Sequence, residues 1–229
     1  MGTLAKQNQD ALKLEAAIKA VTYVKDGDLV GLGTGTTATF AIHELGKKVA
    51  DGMKLTATSS SKNSEDLAKS LGIQVVDLGT LSSIDISIDG ADEFTQQLNL
   101  IKGGGGAHFR EKIMASLSKN AIVIADESKK VDRLGAFTIP IEVVPVAYQY
   151  VLDQLSLLSA NSKRRTKDEQ IFITDNNNWV IDANFGLLED PQELAKTLNQ
   201  IEGILAHGLF IGLTKRVIMS SNKGIQIFE

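Results

Sequence analysis

The chain has 229 residues, 43% hydrophobic and 23% charged, which suits one large domain or one domain carrying a smaller one. Its net charge of −4 argues against a nucleic-acid partner, and the lack of cysteine excludes disulfides, thiolate catalysis and Cys-ligated zinc. The N-terminus has no apolar core of signal-peptide length, and no segment approaches the ~18 apolar residues of a membrane span, so a soluble cytoplasmic protein is expected.

Residues 10–24 read as a helix, with Leu14, Ala17, Ile18 and Val21 on one face. Asp26-Gly27-Asp28 breaks it, and Leu29 to Leu32 forms a short strand ending in a glycine turn. The next helix buries Ala38, Ala41, Ile42, Leu45 and Val49. Leu55 to Thr58 is a strand, Ser64 to Leu71 a helix stopped by Gly72, and Ile73 to Val76 and Ile84 to Ile88 are further strands. Arg110 to Ser118 reads as a helix. Ala121 to Ala125 is an apolar strand of the kind found in the middle of a parallel sheet. This alternation predicts an α/β fold, a Rossmann-like parallel sheet with helices on both faces, over residues 1–136 and 209–229.

The rhythm changes near residue 136. Ile139 to Val143 contains Pro140 and is expected at a sheet edge. Val146 to Leu158 is helical. Ile171 to Thr174 and Trp179 to Asp182 suggest a hairpin around Asp175-Asn176-Asn177-Asn178. Asp190-Pro191-Gln192-Glu193 starts a helix whose apolar face is Leu194, Leu198 and Ile201. Residues 137–208 therefore read as a small inserted α+β (ferredoxin-like) domain, a candidate for oligomerisation. The pieces around Leu209 to Ile211 and Ile225 to Phe228 return to the main sheet. The basic run Lys163-Arg164-Arg165 reads as a solvated loop or strand edge.

Two clusters carry chemistry. The turn Gly31-Leu-Gly-Thr-Gly-Thr-Thr37 falls between a strand and a helix, but Thr36 stands where a dinucleotide fingerprint needs its third glycine. No acid closes the second strand, which runs into Ser59-Ser60-Ser61-Lys62. Hydroxyls of Thr34, Thr36 and Thr37 beside helix-start amides suit a phosphate monoester instead. The second cluster places Asp89, Asp92 and Glu93 before Lys102 and the run Gly103 to Gly106, followed by Arg110-Glu111. Four glycines in succession mark a close approach of bare backbone. Clustered hard oxygens at Asp89 to Glu93 could serve Mg²⁺; Lys102 folded back upon them would replace the metal. Glu111, at a helix start, is either a partner of the helix dipole or a general base beside the glycine amides. Deprotonation next to a carbonyl needs such a base plus donors aimed at the enolate oxygen. Of the histidines, His43 fits a helix surface, His108 lies close enough to the glycines to touch a ligand, and His207 fits a turn.

The ordered set Gly31–Ala38, Asp89-Gly-Ala-Asp-Glu93, Lys102–Gly106 and Arg110-Glu-Lys112 resembles the type A ribose-5-phosphate isomerase family. The likeness continues through Ala125–Lys129, Glu142–Pro145, Thr174-Asp-Asn176 and Gly208–Phe210, and so spans nearly the whole chain. It implies interconversion of D-ribose 5-phosphate and D-ribulose 5-phosphate in the non-oxidative pentose phosphate pathway, without cofactor or metal, by a homo-oligomer, most often a dimer. Carried over by position, Glu111 is the base working through an enediolate. Lys102 and the amides of Gly103, Gly104 and Gly105 stabilise the developing charge. Asp89 and Asp92, with Gly90 and Ala91 between them, hold sugar hydroxyls, Asp89 being a candidate for ring opening. Thr34, Gly35, Thr36 and Thr37 contact substrate, the last two threonines on phosphate. Lys13 and Lys129 match family lysines that contact substrate. The chain departs from the family at His108-Phe109, where Leu-Thr is usual, and in the Asn-rich turn at 175–178. The competing readings are a non-catalytic phosphosugar-binding sensor and a transferase using a carboxylate nucleophile on an acyl-thioester.

Overall fold

The structure, a computed structural model, describes residues 3–229, with side chains from residue 7 onward. Helix α1 (Thr3–Val21) starts well before the expected residue 10. Its first turns are rich in helix formers such as Ala, Lys and Gln but lack an apolar stripe, so periodicity alone passes over them. Its buried face is Ala16, Ala17, Ala20 and Val21, whereas Ile18 is exposed. Small side chains let α1 lie close against the sheet and its neighbouring helix.

Strand β1 (Leu29–Leu32) leads into α2 (Thr36–Ala50), then β2 (Thr56–Ser59), α3 (Lys62–Ser70), β3 (Gln74–Val75) and β4 (Ile84–Gly90). Ser61 caps α3 by accepting from the Ser64 amide. The expected inner face of α2 is buried at Ala38, Ala41, Ile42 and Leu45, and Val49 is half-buried. Short strands β5 (Glu93–Phe94) and β6 (Leu100–Ile101) precede α4 (His108–Leu117) and β7 (Ser118–Asp126).

After a loop come β8 (Ile139–Val143), α5 (Tyr148–Leu157), β9 (Asn161–Arg164), β10 (Thr166–Lys167), β11 (Gln170–Ile171), β12 (Trp179–Asn184), α6 (Pro191–Leu198) and β13 (Ile204–His207). Asp190 caps α6 with bonds to the Gln192 and Glu193 amides, as its sequence requires. Strands β14 (Leu209–Phe210), β15 (Arg216–Ser221) and β16 (Gly224–Phe228) close the chain.

The main sheet runs β16-β15-β7-β4-β1-β2-β3 and is parallel except for β16. The apolar residues of β7 sit inside it between β4 and β15, as a run buried on both faces requires. From β1 the chain winds one way through β2 and β3 and the other way through β4, β7 and β15. The strand order therefore reverses between β1 and β4, and a ligand crevice forms outside the carboxyl ends of such strands.

The second sheet, β13-β8-β12-β9, is antiparallel; with α5 and α6 it has the ferredoxin-like βαββαβ order. Its core joins Ile139, Ile141, Val143, Val151, Leu155, Ile181 and Leu198. A small sheet, β14-β6-β5, lies at Lys102 and the site loops.

Four expectations need correction. Pro140 is not on an edge strand: β8 lies between β13 and β12. Its carbonyl accepts from Gly208, while the Gly208 carbonyl takes the Lys102 amide, so the missing proline N–H leaves no acceptor unpaired there. The arms around Asn176 share only the Ile173–Trp179 bridge; β12 pairs chiefly with β8 and β9. Leu209-Phe210 pairs with β6 rather than the main sheet. Strand β15 was not anticipated, although Val217, Ile218 and Met219 gave an apolar signal, and it is buried from Val217 to Ser221.

Candidate active site

Both glycine-bearing loops reach the crevice between β1 and β4. Gly33 continues β1 by donating to the Ile88 carbonyl. A Cβ there would lie 2.0 Å from Asp89 Oδ1, so only glycine lets the first loop press on the end of β4. Asp89 lies inside β4, one residue further along the strand than its apolar run indicates. Its Oδ1 accepts from the Thr34 amide (3.1 Å) and the Gly90 amide (2.7 Å), tying the two loops together. The Thr34 hydroxyl meets Ser60 Oγ at 2.7 Å.

Helix α2 starts at Thr36 with Gly35 as its N-cap and no capping side chain. Its first amides are therefore left to an incoming acceptor, with the helix dipole favouring an anion.

Lys102 follows β6 and folds back into the crevice. Its Nζ donates to the Gly90 carbonyl (2.6 Å) and lies 2.9 Å from Asp89 Oδ2 and 3.2 Å from Glu111 Oε2. All three side chains are almost sealed from solvent. Both facing carboxylate oxygens touch the ammonium as ion pairs without a hydrogen bond of good geometry, leaving them acceptor capacity. Burial opposes the charge on Lys102, but the carboxylates of Asp89 and Glu111 outweigh it and hold its pKa above the ordinary lysine value. Burial and then the Asp89 charge raise the Glu111 pKa above the ordinary carboxylate range, against the pull of Lys102. Glu111 is in the first turn of α4, and its own amide donates to the Ala107 carbonyl.

The glycine run is bent into place. Gly103 has φ +103°, and a Cβ there would lie 2.9 Å from the His108 side chain. Asp92 Oδ2 accepts from the Gly104 amide at 2.8 Å. A cleft of about 200 Å³ is lined by Lys13, Thr34, Gly35, Thr36, Thr37, Gly90, Ala91, Asp92, Lys102, Gly103, Gly104, Gly105, Glu111 and Lys129. Asp89 lies beneath it. Gln9 is an additional lining residue that no sequence pattern marked; its amide lies 3.4 Å from Ser128 Oγ, beside Lys129.

Several residues fall elsewhere. Glu93 turns away and accepts from the Gly135 (2.8 Å) and Phe137 (2.5 Å) amides, so the three acids do not converge. Among the described residues no group of three or more His, Asp or Glu side chains is arranged to hold a metal. His108 does not line the cleft. It is buried behind Gly103, and burial followed by the Arg165 and Lys112 charges lowers its pKa to about 3, keeping it neutral. His207 ends β13 rather than sitting in a turn. Its Nδ1 accepts from the Leu209 amide and its Nε2 faces Asn199 Oδ1 at 3.1 Å. Lys112 donates to the His207 carbonyl (2.7 Å) and, like Lys102, packs on the Phe210 ring. Burial lowers its pKa to about 8.

The basic run lies at a sheet edge as expected, with Lys163 and Arg164 ending the edge strand β9, but Arg165 is not solvated. Its Nη1 donates to the carbonyls of Gly103 (2.9 Å) and Gly104 (3.1 Å), while Nε and Nη2 bind both oxygens of Asp182. Its neighbour Arg164 stacks on Tyr148 and Trp179. No sequence pattern marks Arg165 for the site, because the glycine carbonyls it binds lie 62 and 61 residues away.

Fold and site define a class: an α/β protein whose cleft, at the reversal point of a parallel sheet, sets buried acids and an ammonium beside an uncapped helix start. Residues 56–224 match the family model of ribose 5-phosphate isomerase A (phosphoriboisomerase A). A ribose-5-phosphate isomerase A from Desulfatibacillum aliphaticivorans is 45% identical, the alignment covering 96% of this chain and 97% of that protein. The solved ribose 5-phosphate isomerase A of Methanocaldococcus jannaschii superposes with a TM-score of 0.91 at 38% identity, over 96% of this chain and 98% of that one. A D-ribose-5-phosphate isomerase in complex with phospho-erythronic acid gives 0.93 at 34% identity, over 96% and 99%. The chain belongs to the ribose 5-phosphate isomerase A family.

Proposed function

We propose that this protein interconverts D-ribose 5-phosphate and D-ribulose 5-phosphate through an enediolate, within the non-oxidative pentose phosphate pathway. The observation that carries the reading is the placement of Glu111. Its carboxylate borders the cleft beside the Lys102 ammonium, and the uncapped start of α2 borders the same cleft. The phosphate docks on the amides and hydroxyls of Thr34 to Thr37. Asp89 assists ring opening, and Asp92 holds a sugar hydroxyl. Glu111 takes the proton from C2 and returns it to C1 while the O2 hydroxyl proton passes to O1, and its raised pKa places it closer to neutral pH than an ordinary carboxylate. As the proton leaves, negative charge moves to the carbonyl oxygen, where Lys102 and the glycine-run amides stabilise it, each such donor typically contributing ~3–4 kcal/mol. Lys13 and Lys129 add positive potential at the cleft rim. The chemistry needs neither cofactor nor metal, because the ammonium supplies the charge that a cation would.

The ligand of the relative solved with phospho-erythronic acid fits this scheme: its carboxylate resembles an enediolate in charge and planarity. We further assign residues 1–136 and 209–229 to the catalytic domain and 137–208 to a small domain serving assembly, with a cytoplasmic homodimer as the working unit.

The test is to mix the protein with ribose 5-phosphate and EDTA and follow ketose formation. Turnover under chelation is the expected result. Binding without turnover would favour a phosphosugar sensor, and activity abolished by EDTA would restore a metal at Asp89 and Asp92.

A further inference from the structure

We propose that Arg165, held by Asp182, is a positioning residue that orients the glycine run, setting the Gly104 N–H on Asp92 and aiming and polarising the Gly105 N–H at the reacting oxygen. The inference rests on the isomerase reading above and adds to it a role for the second sheet.

In a trans peptide the C=O of one residue and the N–H of the next point in opposite directions. The Gly103 carbonyl is bound by Arg165, and the Gly104 N–H of the same peptide points to Asp92. The Gly104 carbonyl is also bound by Arg165, so the Gly105 N–H points away from the guanidinium. Gly105 lines the cleft opposite the first glycine loop, where a Cβ on it would lie 3.5 Å from the Thr34 methyl, and its N–H is the glycine-run donor that we assign to the reacting oxygen. Two carbonyls fixed on one rigid fork thus set the orientation of two consecutive peptide planes.

A cation on a carbonyl oxygen also draws electron density from the attached N–H, making it a stronger donor. The effect grows as the reacting oxygen gains charge, so it favours the transition state over the ground state.

The fork is itself immobilised. Asp182 on β12 binds it in bidentate fashion, Phe172 stacks against it, and the Arg165 amide donates to Val180. Lysine could supply the charge but not two carbonyl bonds and a carboxylate pair at once. Phe172 also packs under Gly106. The bend of the glycine run is therefore held from β9–β12, outside the main sheet.

The experiment compares wild type with Arg165→Gln, Arg165→Lys and Asp182→Asn by steady-state kinetics. It also measures inhibition by inorganic phosphate and by phospho-erythronic acid. Arg165→Gln should lower kcat roughly 10–100-fold, as expected when donors are misplaced by about an ångström. KM and phosphate inhibition should move less than about 3-fold, because the α2 site is untouched. Affinity for phospho-erythronic acid should fall alongside kcat, and added guanidinium ion should restore part of it. Arg165→Lys and Asp182→Asn should fall between, and Arg165→Lys carries the test if Arg165→Gln does not fold. Undiminished kcat with undiminished phospho-erythronic acid binding overturns the proposal, as does equal loss of phosphate and phospho-erythronic acid affinity, which would mark a purely structural arginine. A wild type without turnover would instead reject the isomerase reading, and the two inhibitor affinities would still judge Arg165.

Discussion

The ammonium of Lys102 lies 3.2 Å from the carboxylate of Glu111, and both residues are 4% exposed. The same ammonium lies 2.9 Å from Asp89. Burial, and then the charge of Asp89 on the same ammonium, keep Glu111 basic enough to accept a proton, while the two carboxylates keep Lys102 charged.

Replacing Glu111 by Gln keeps the shape and removes the proton acceptor. We expect kcat to fall by about 10²–10⁴ with little change in KM, as for removal of a positioned base. Steady-state kinetics decides it, and near-normal turnover would exclude Glu111 as the base.

The pH dependence follows in sign from the raised Glu111 pKa. A base works when unprotonated, so kcat/KM should rise with pH through a limb displaced above the ordinary carboxylate range. Lys102→Met removes the charge that opposes this displacement and should move the limb higher still while lowering kcat. Stability has the opposite slope. A carboxyl that binds its proton more tightly when folded favours folding at low pH and loses that contribution as pH rises towards the folded pKa. Thermal unfolding of wild type against Glu111→Gln across that window should reveal the extra loss in wild type; parallel curves would contradict the raised pKa.

Thr36→Val should act on binding. The hydroxyl sits at the uncapped start of α2, away from the reacting carbons, and a lost hydrogen bond to a charged group costs ~1.5–3 kcal/mol. KM should rise by roughly 10–100-fold with kcat nearly unchanged. A parallel weakening of inhibition by inorganic phosphate would place the effect at the phosphate, whereas unaltered KM would move the anion elsewhere.

Glu142 offers a test of the second sheet. It is fully buried, and Oε1 accepts from Thr174 (2.9 Å), Asn176 (3.1 Å) and Asn178 (2.9 Å). Glu142→Ala strands those donors and should destabilise by about 2–4 kcal/mol, measured by urea unfolding. A change below about 0.5 kcal/mol, the range of ordinary surface substitutions, would show that solvent replaces the carboxylate.

The chemistry was legible because it lies in local patterns. A glycine turn between strand and helix, an acid pair after an apolar strand, and a lysine before four glycines each specify a backbone geometry within a few residues. The first two meet because β1 and β4 are adjacent in the main sheet, and the lysine and glycines reach them from β6 in the small sheet. Pro140 was misplaced because its ladder needs are met by Gly208, a distant residue that no propensity scale sees. The Asn-rich turn at 175–178 reads in the sequence only as a hairpin turn and a departure from the family. Its Asn176 and Asn178 side chains instead donate to Oε1 of the buried Glu142, and Asp175 accepts from the Lys62 amide.

By itself the sequence determined the alternation of strands and helices, the bare amides at both loops, and the acids and cation available to the cleft. Those features are written at short range, in periodicity and in the backbone freedom of glycine. Only the tertiary structure decided that Glu93 leaves the acid cluster, that His108 is sealed away neutral, and that Arg165 reaches across from another sheet to hold the glycine run. Each of those outcomes depends on which partners burial brings within hydrogen-bonding distance, and chain separation says nothing about that.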